Sequence, residues 1–219
     1  MSDGISGERF AGSACFVVGG SGLILEVQKT HKWRRDRDGR WRVGIGLIGG
    51  SIEPGESPIE ALQREAHEEI GCPLHLLPAR STIELASGPH AWARRWTAGE
   101  PRPVFVWNTE GDWEDPEAKV VVYLGYPVGV PQPHDLPAIA SFEIDLLHRL
   151  AYEELTVAAA CEAGAELTQR EAIPPQALLE TTGTLSVFHS LCRTHQTFAE
   201  AIAAEIGAVL ALHNEVSEG

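Results

Sequence analysis

Three glutamates, Glu65, Glu68 and Glu69, fall close together in the stretch Gly49 to Cys72, GGSIEPGESPIEALQREAHEEIGC. On a helix, at roughly 100° per residue and with Glu65 taken as zero, Glu68 falls at about 300° and Glu69 at about 40°, so the three share an arc of about 100°. Carboxylates aimed one way suit a hard divalent cation. Mg²⁺ takes oxygen ligands in near-octahedral geometry, keeps several waters, and is held by one or two carboxylates together with substrate phosphates. A glutamate-rich helix face is ordinarily just solvated, so the chemistry rests on what surrounds the triplet.

The surroundings specify a helix at this place. Ser57 is an N-cap residue, Pro58 occupies the first helical position, and Glu60 completes a capping box. Gly71 supplies the C′ stop. Ile59, Leu62, Ala66 and Ile70 lie between about 60° and 140° on the same wheel. One side of the helix is therefore anchored in a core, and the side next to it presents the carboxylates.

Gly50, five residues, Glu56, seven residues, Arg64-Glu65-Ala66, one residue, Glu68-Glu69, one residue, Gly71 and the apolar Cys72 match the Nudix box at every position. The chain thus resembles the Nudix hydrolases, strongly over the box and loosely, by order of elements, over residues 10 to 150. The resemblance implies an α/β fold, an α/β/α sandwich around a mixed β-sheet. It implies Mg²⁺ or Mn²⁺ as cofactor, with Glu65, Glu68, Glu69 and the carbonyl of Gly49 as metal ligands. Arg64 and Glu56 would orient the glutamates. The catalytic set is then Glu68, Glu65, Arg64 and Glu56, with Glu68 favoured as base over a carboxylate outside the box. The implied activity is hydrolysis of a nucleoside diphosphate linked to another moiety, by water attack at phosphorus. The alternative is a Nudix-fold nucleotide sensor without hydrolysis, against which the full set of box carboxylates argues. A Nudix-type isopentenyl diphosphate isomerase is a third reading, but its catalytic cysteine context is not found.

One departure from the family pattern is visible, and the subfamily marks are mostly missing. Many members carry proline before the Gly-Gly pair, whereas Ile48 stands here. Members acting on ADP-ribose tend to carry a proline about sixteen residues past the box; Gly88 holds that position and Pro89 follows it. The tyrosine of dinucleoside polyphosphate hydrolases is absent, since positions 89 and 90 are Pro89 and His90. No coenzyme A or NADH signature accompanies the box, so the substrate stays open.

The elements that must position the box read as follows. Ala14 to Val18 and Leu23 to Val27 are apolar runs about a glycine-rich turn, a β-hairpin. Val43, Ile45 and Leu47 alternate along a strand entering the box. Ser81 to Ala86, Pro103 to Trp107 and Lys119 to Tyr126 read as later strands. The basic stretch HKWRRDRDGRWR turns at Asp38-Gly39. Either its guanidinium groups meet substrate phosphates while Trp33 or Trp41 stacks on a base, or it is a solvated hairpin tip. An extra carboxylate from outside the box is sought among Glu110, Asp112, Glu114, Asp115 and Glu117, with His134 and Glu143 as competitors.

Ile144 to Val157 reads as a second helix, Pro174-Pro175 with QALLE as another helix start, and Thr197 to Glu200 as a capping box. The last opens a helix with an apolar stripe of Phe198, Ile202, Ile206, Val209 and Leu210. We therefore expect a Nudix domain over residues 8–157 and a helical C-terminal extension over 158–219. The stripe covers the core in cis or pairs across a homodimer. A net charge of −14 argues against duplex nucleic acid or an anionic membrane as partner. It leaves a small nucleotide derivative, neutralised locally by metal. The four cysteines, Cys15, Cys72, Cys161 and Cys192, lack C-x-x-C pairing and read as buried thiols. With no signal peptide and no long apolar run, a cytoplasmic protein is expected.

Overall fold

A computed structural model of the chain describes residues 9–20, 22–85, 91–94, 96, 99, 101–109 and 118–217. The acidic run from Glu110 to Glu117, Pro89 and His90 lie outside the described residues. The first hairpin joins β1 (Phe10–Gly19) to β2 (Gly22–Val27), with Val18 opposite Leu23. Next come β3 (Arg34–Arg35), β4 (Trp41–Ser51) and the box helix α1 (Pro58–Ile70). β5 (Leu74–Leu77), β6 (Thr82–Leu85), β7 (Ala91–Arg94), β8 (Phe105–Asn108), β9 (Lys119–Pro127) and β10 (Ala138–Phe142) follow. The chain ends with α2 (Ile144–Leu150), α3 (Val157–Glu162), β11 (Glu166–Gln169), β12 (Leu178–Thr181), α4 (Gly183–Thr194) and α5 (Gln196–Ser217).

These strands form one mixed sheet in the order β11-β10-β2-β4-β1-β9-β8-β6-β7. β1 runs parallel to β9 and antiparallel to β4, and β12 joins β4 in parallel. Both faces are covered, so β1 reads as one unbroken apolar run. Its alternate side chains reach two separate cores. Cys15 and Val17 pack with Leu62, Ala66 and Ile70 of α1. Ala14, Phe16 and Val18 pack with Leu185 and Phe188 of α4 and with Ile202 and Ile206 of α5. Helices on opposite faces of a mixed sheet are the layers the resemblance implies.

Several expectations change in detail. The helix expected over Ile144 to Val157 stops at Leu150, and a new one starts at Val157, where the Thr156 hydroxyl accepts from Ala159 N–H. Leu178 to Thr181, expected to be helical, form a strand because β4 offers a free edge there. α4 and α5 supply the layer opposite α1. α5 begins at Gln196, ahead of Thr197, and Ile202, Ile206 and Val209 are buried in this chain's own core. That stripe is used in cis. Cys15, Cys72 and Cys192 are buried, but Cys161 is exposed. Among the described residues no helix is long and apolar enough to cross a membrane.

Candidate functional site

The box helix forms as its residues dictate. The Ser57 hydroxyl accepts from Glu60 N–H while the Glu60 carboxylate accepts from Ser57 N–H, and Gly71 closes the helix with φ 71°. α1 lies against β4 and β1, with Leu62, Ala66 and Ile70 fully buried. This packing fixes the rotation of the helix. Glu69 faces the sheet and is 6% exposed, Glu65 sits beside it, and Glu68 has a half-exposed side chain. The shared arc of carboxylates thus becomes a gradient from buried to wet.

Each carboxylate is held differently. Gly49 N–H donates to Glu69 Oε2 at 3.0 Å. Gly49 has φ 141°, and a Cβ there would strike the backbone of Ser13 and Ala14. A Cβ on Gly50 would run into the Glu65 carboxylate. The two glycines thus let the strand approach the helix closely enough for backbone to meet carboxylate. Arg64 is the hub of the group: it grips Glu56 through two nitrogens at 2.9 and 3.1 Å, donates to Glu65 Oε1 at 2.8 Å and to the Ser51 carbonyl at 2.9 Å. Its Nη1 is 3.5 Å from Glu68 Oε2. Hydrogen bonds from Arg64 and from the Glu53 amide hold the Glu56 carboxyl below its usual range, and Glu56 and Glu65 push Arg64 further up.

The fourth carboxylate is Glu26, which sequence reasoning did not single out. It lies on β2 opposite Gly46 and Ile139, on the strand face that also carries Ile24 of the α1-side core. It is hydrogen-bonded to Glu69 and feels the charge of Glu65. Burial, then repulsion from Glu65, raises it to about 7, while Lys32 pulls the other way. Burial and then Glu26 raise Glu69 well above the ordinary carboxylate range. A signal was present in LILEV, where one acid interrupts an apolar strand.

The other candidates separate clearly. His134 N–H and Asp135 N–H donate to the carbonyls of Glu69 and Glu68, so their loop caps the end of α1 by backbone contacts. The His134 side chain is exposed, while Asp135 pairs with Lys29 at 2.5 Å. Glu143 follows Phe142, which pairs with Leu23 at the hairpin end of the sheet, away from the box. Four arginines of the basic stretch are engaged elsewhere. Arg34 pairs with Glu180, Arg42 with Glu154 and Arg40 with Asp36, and Arg35 lies over the Trp41 ring. Trp33 and Trp41 pack edge to face on one another and on the core. The stretch is therefore a tied-down hairpin tip; only its Lys32 lines the cavity at the box.

That cavity, about 410 Å³, is lined among others by Glu26, Gly46, Gly49, Gly50 and Ser51. Among the described residues no three acidic, histidine or cysteine side chains already stand close enough to cage an ion. The donor set nevertheless fits a divalent cation: hard oxygens only, with two carboxyls forced toward the neutral form by crowding and burial. A cation would supply the missing countercharge.

The family model described as the NUDIX domain matches residues 8–170. No curated protein matches the chain by sequence. Solved structures similar to it include one described as a Nudix hydrolase family member from Chromobacterium violaceum, at 15% identity and TM-score 0.43, covering 98% of this chain and 99% of that one. An ADP-ribose pyrophosphatase from Streptococcus suis is 13% identical, with TM-score 0.34 and 90% of each chain covered. A MutT Nudix hydrolase from Burkholderia pseudomallei is 21% identical, with TM-score 0.33, covering 58% of this chain and 75% of that one. With the domain match spanning most of its length, the chain belongs to the Nudix family and is a Nudix hydrolase.

Proposed function

We propose that this chain is a cytoplasmic, Mg²⁺- or Mn²⁺-dependent pyrophosphohydrolase of a nucleoside diphosphate linked to a second group. The observation that supports it most is the crowding of Glu69 and Glu65 against Glu26, which lines, with Gly49, a cavity of about 410 Å³. Glu65, Glu68, Glu69 and the Gly49 carbonyl would hold the metal, and Glu26 adds a carboxylate from outside the box. The cation would polarise the bridging phosphate and lower the pKa of a bound water. The protein's own groups do the rest. Arg64 keeps Glu65 and Glu56 fixed, the Gly49 amide aims Glu69, and Lys32 at the cavity draws in the phosphates. Glu68, the most exposed of the three, accepts the proton as the water oxygen bonds to phosphorus. The bridging P–O bond breaks, and the products are a nucleoside monophosphate and the phosphorylated second group.

The test is a panel of nucleotide sugars, ADP-ribose and dinucleoside polyphosphates assayed with Mg²⁺ and Mn²⁺, alongside Glu68→Gln. At least one compound should turn over, EDTA should abolish it, and Glu68→Gln should lose most activity and most of the Mg²⁺-induced rise in Tm. Metal-dependent binding without product from any compound would make the protein a sensor and overturn the reading.

A further inference from the structure

Glycine inside a strand weakens it, so its presence there marks a place that something must approach closely. β4 carries Gly46 between Ile45 and Leu47, which are both buried. Gly46 lacks the positive φ of Gly49, so the backbone conformation does not itself call for glycine. The space beside it does. A Cβ on Gly46 would stand 2.5 Å from Glu26 Oε1, 3.2 Å from its Cγ and 3.3 Å from its Cδ. Glu26, the register partner of Gly46 on β2, therefore lies with its side chain across β4.

That crossing carries Glu26 to the acids of the box. Alternate strand residues point the same way, so Gly46 and Gly50 share a face with Ile48, which packs against α1. Gln28 crosses Gly44 in the same manner, and the lean of both side chains thus follows from the way β2 lies beside β4. Glu26 ends hydrogen-bonded to Glu69. On this face each of two glycines leaves room for one carboxylate, Gly46 for Glu26 and Gly50 for Glu65. Gly50 belongs to the box and Gly46 does not.

Resting on the hydrolase reading, we propose that Gly46 is a positioning residue whose missing side chain lets Glu26 lie across β4 and present a carboxylate from outside the box to the cation held by Glu65, Glu68 and Glu69. The atoms that crowd position 46 are the outer part of a flexible side chain. Gly46→Ala therefore moves Glu26 and leaves the strand in place. Groups that orient a metal ligand are worth roughly 10–100-fold in metal affinity or activity.

The experiment titrates MgCl₂ and MnCl₂ calorimetrically into the full chain, so that metal binding is read without substrate or turnover. Gly46→Ala and Glu26→Ala should each bind the ions about 10–100-fold more weakly than wild type. Glu26→Ala also removes the atoms that Gly46→Ala would strike. In the double variant Gly46→Ala should then cost less than about twofold beyond Glu26→Ala, because the two changes act through one side chain. Should Gly46→Ala alone fail to fold, wild type, Glu26→Ala and the double variant decide the matter. Wild-type affinity in Gly46→Ala or in Glu26→Ala overturns the inference, and so does a double variant that is about tenfold or more weaker than Glu26→Ala. Turnover of an anhydride by the wild type, with unchanged metal binding in Gly46→Ala, would sink this pairing and spare the hydrolase. The expected pattern of metal binding, with no turnover of any anhydride, would do the reverse.

Discussion

Replacing Glu26 with glutamine tests the electrostatic account of the site directly. In the folded, metal-free protein Glu26 is raised from 4.5 to about 7, chiefly by burial. Below pH 4.5 both folded and unfolded chains carry the proton and the residue is neutral in effect. Between pH 4.5 and 7 the unfolded chain releases its proton while the folded one keeps it, so stability falls as pH rises. The gap corresponds to about 3 kcal/mol above pH 7 at 1.36 kcal/mol per pKa unit. For a chain of this size that is about 6–12 °C in Tm. Glutamine keeps the shape and hydrogen-bonding capacity and removes the titration. In EDTA, Glu26→Gln should therefore melt with the wild type at pH 4.5 and well above it at pH 8. With Mg²⁺ at pH 8 the order should reverse or close, because the wild type alone retains the full carboxylate set and a ligand of the folded state stabilises it. Melting curves at the two pH values, each with EDTA and with Mg²⁺, read all four corners. Indistinguishable curves in EDTA at pH 8 would refute the account.

Two further predictions concern residues that act through others. Arg64→Met frees Glu56 and Glu65 and the Ser51 carbonyl from their shared donor, and should lower kcat by about 100-fold, the scale of a misplaced catalytic group, with a much smaller change in KM. His189, buried on α4, is pushed from 6.5 to about 4 by burial and then by Arg193. The unfolded chain protonates first, so stability is intact above pH 6.5 and is lost as pH falls toward 4, by about 3 kcal/mol; acid titrations followed by circular dichroism should show His189→Leu unfolding at lower pH than wild type.

The box helix was legible because its information is local: the cap, the proline, the stop and the apolar side all lie within Ser57 to Gly71 and act on one another. Its rotation gave the order of burial of the carboxylates only once β4 was in place. Glu26 was hidden for the opposite reason. Its role depends on partners on β4 and α1, distant in sequence, and a single acid in an apolar strand has no spacing to read. Leu178 to Thr181 likewise carry apolar residues that suit either structure, and the free edge of β4 decides for a strand. The basic stretch advertised phosphate binding by composition alone, while its actual partners, Glu154 and Glu180, lie more than a hundred residues away. For the stripe on α5, periodicity showed an apolar face and the fold showed what covers it.

The pairing of β12 with β4 has a consequence for the order in which the protein comes into being. Leu178 to Thr181 lie beside Arg42 to Ile45, and Thr182 then bonds to Ile45 across 137 positions of sequence. On a ribosome, Gly46, Gly49 and Gly50 of the cavity lining are therefore synthesised long before Thr182, Gly183 and Thr184, an interval of about 7–26 s at roughly 5–20 residues per second. During that interval Phe16 and its neighbours, which α4 and α5 later cover, face solvent. Such long-range closure is slow and leaves apolar surface open to chaperones. A nascent chain ending before Thr182 carries every box carboxylate and lacks Thr182, Gly183 and Thr184 of the cavity lining, so the cavity is complete only once α4 is in place.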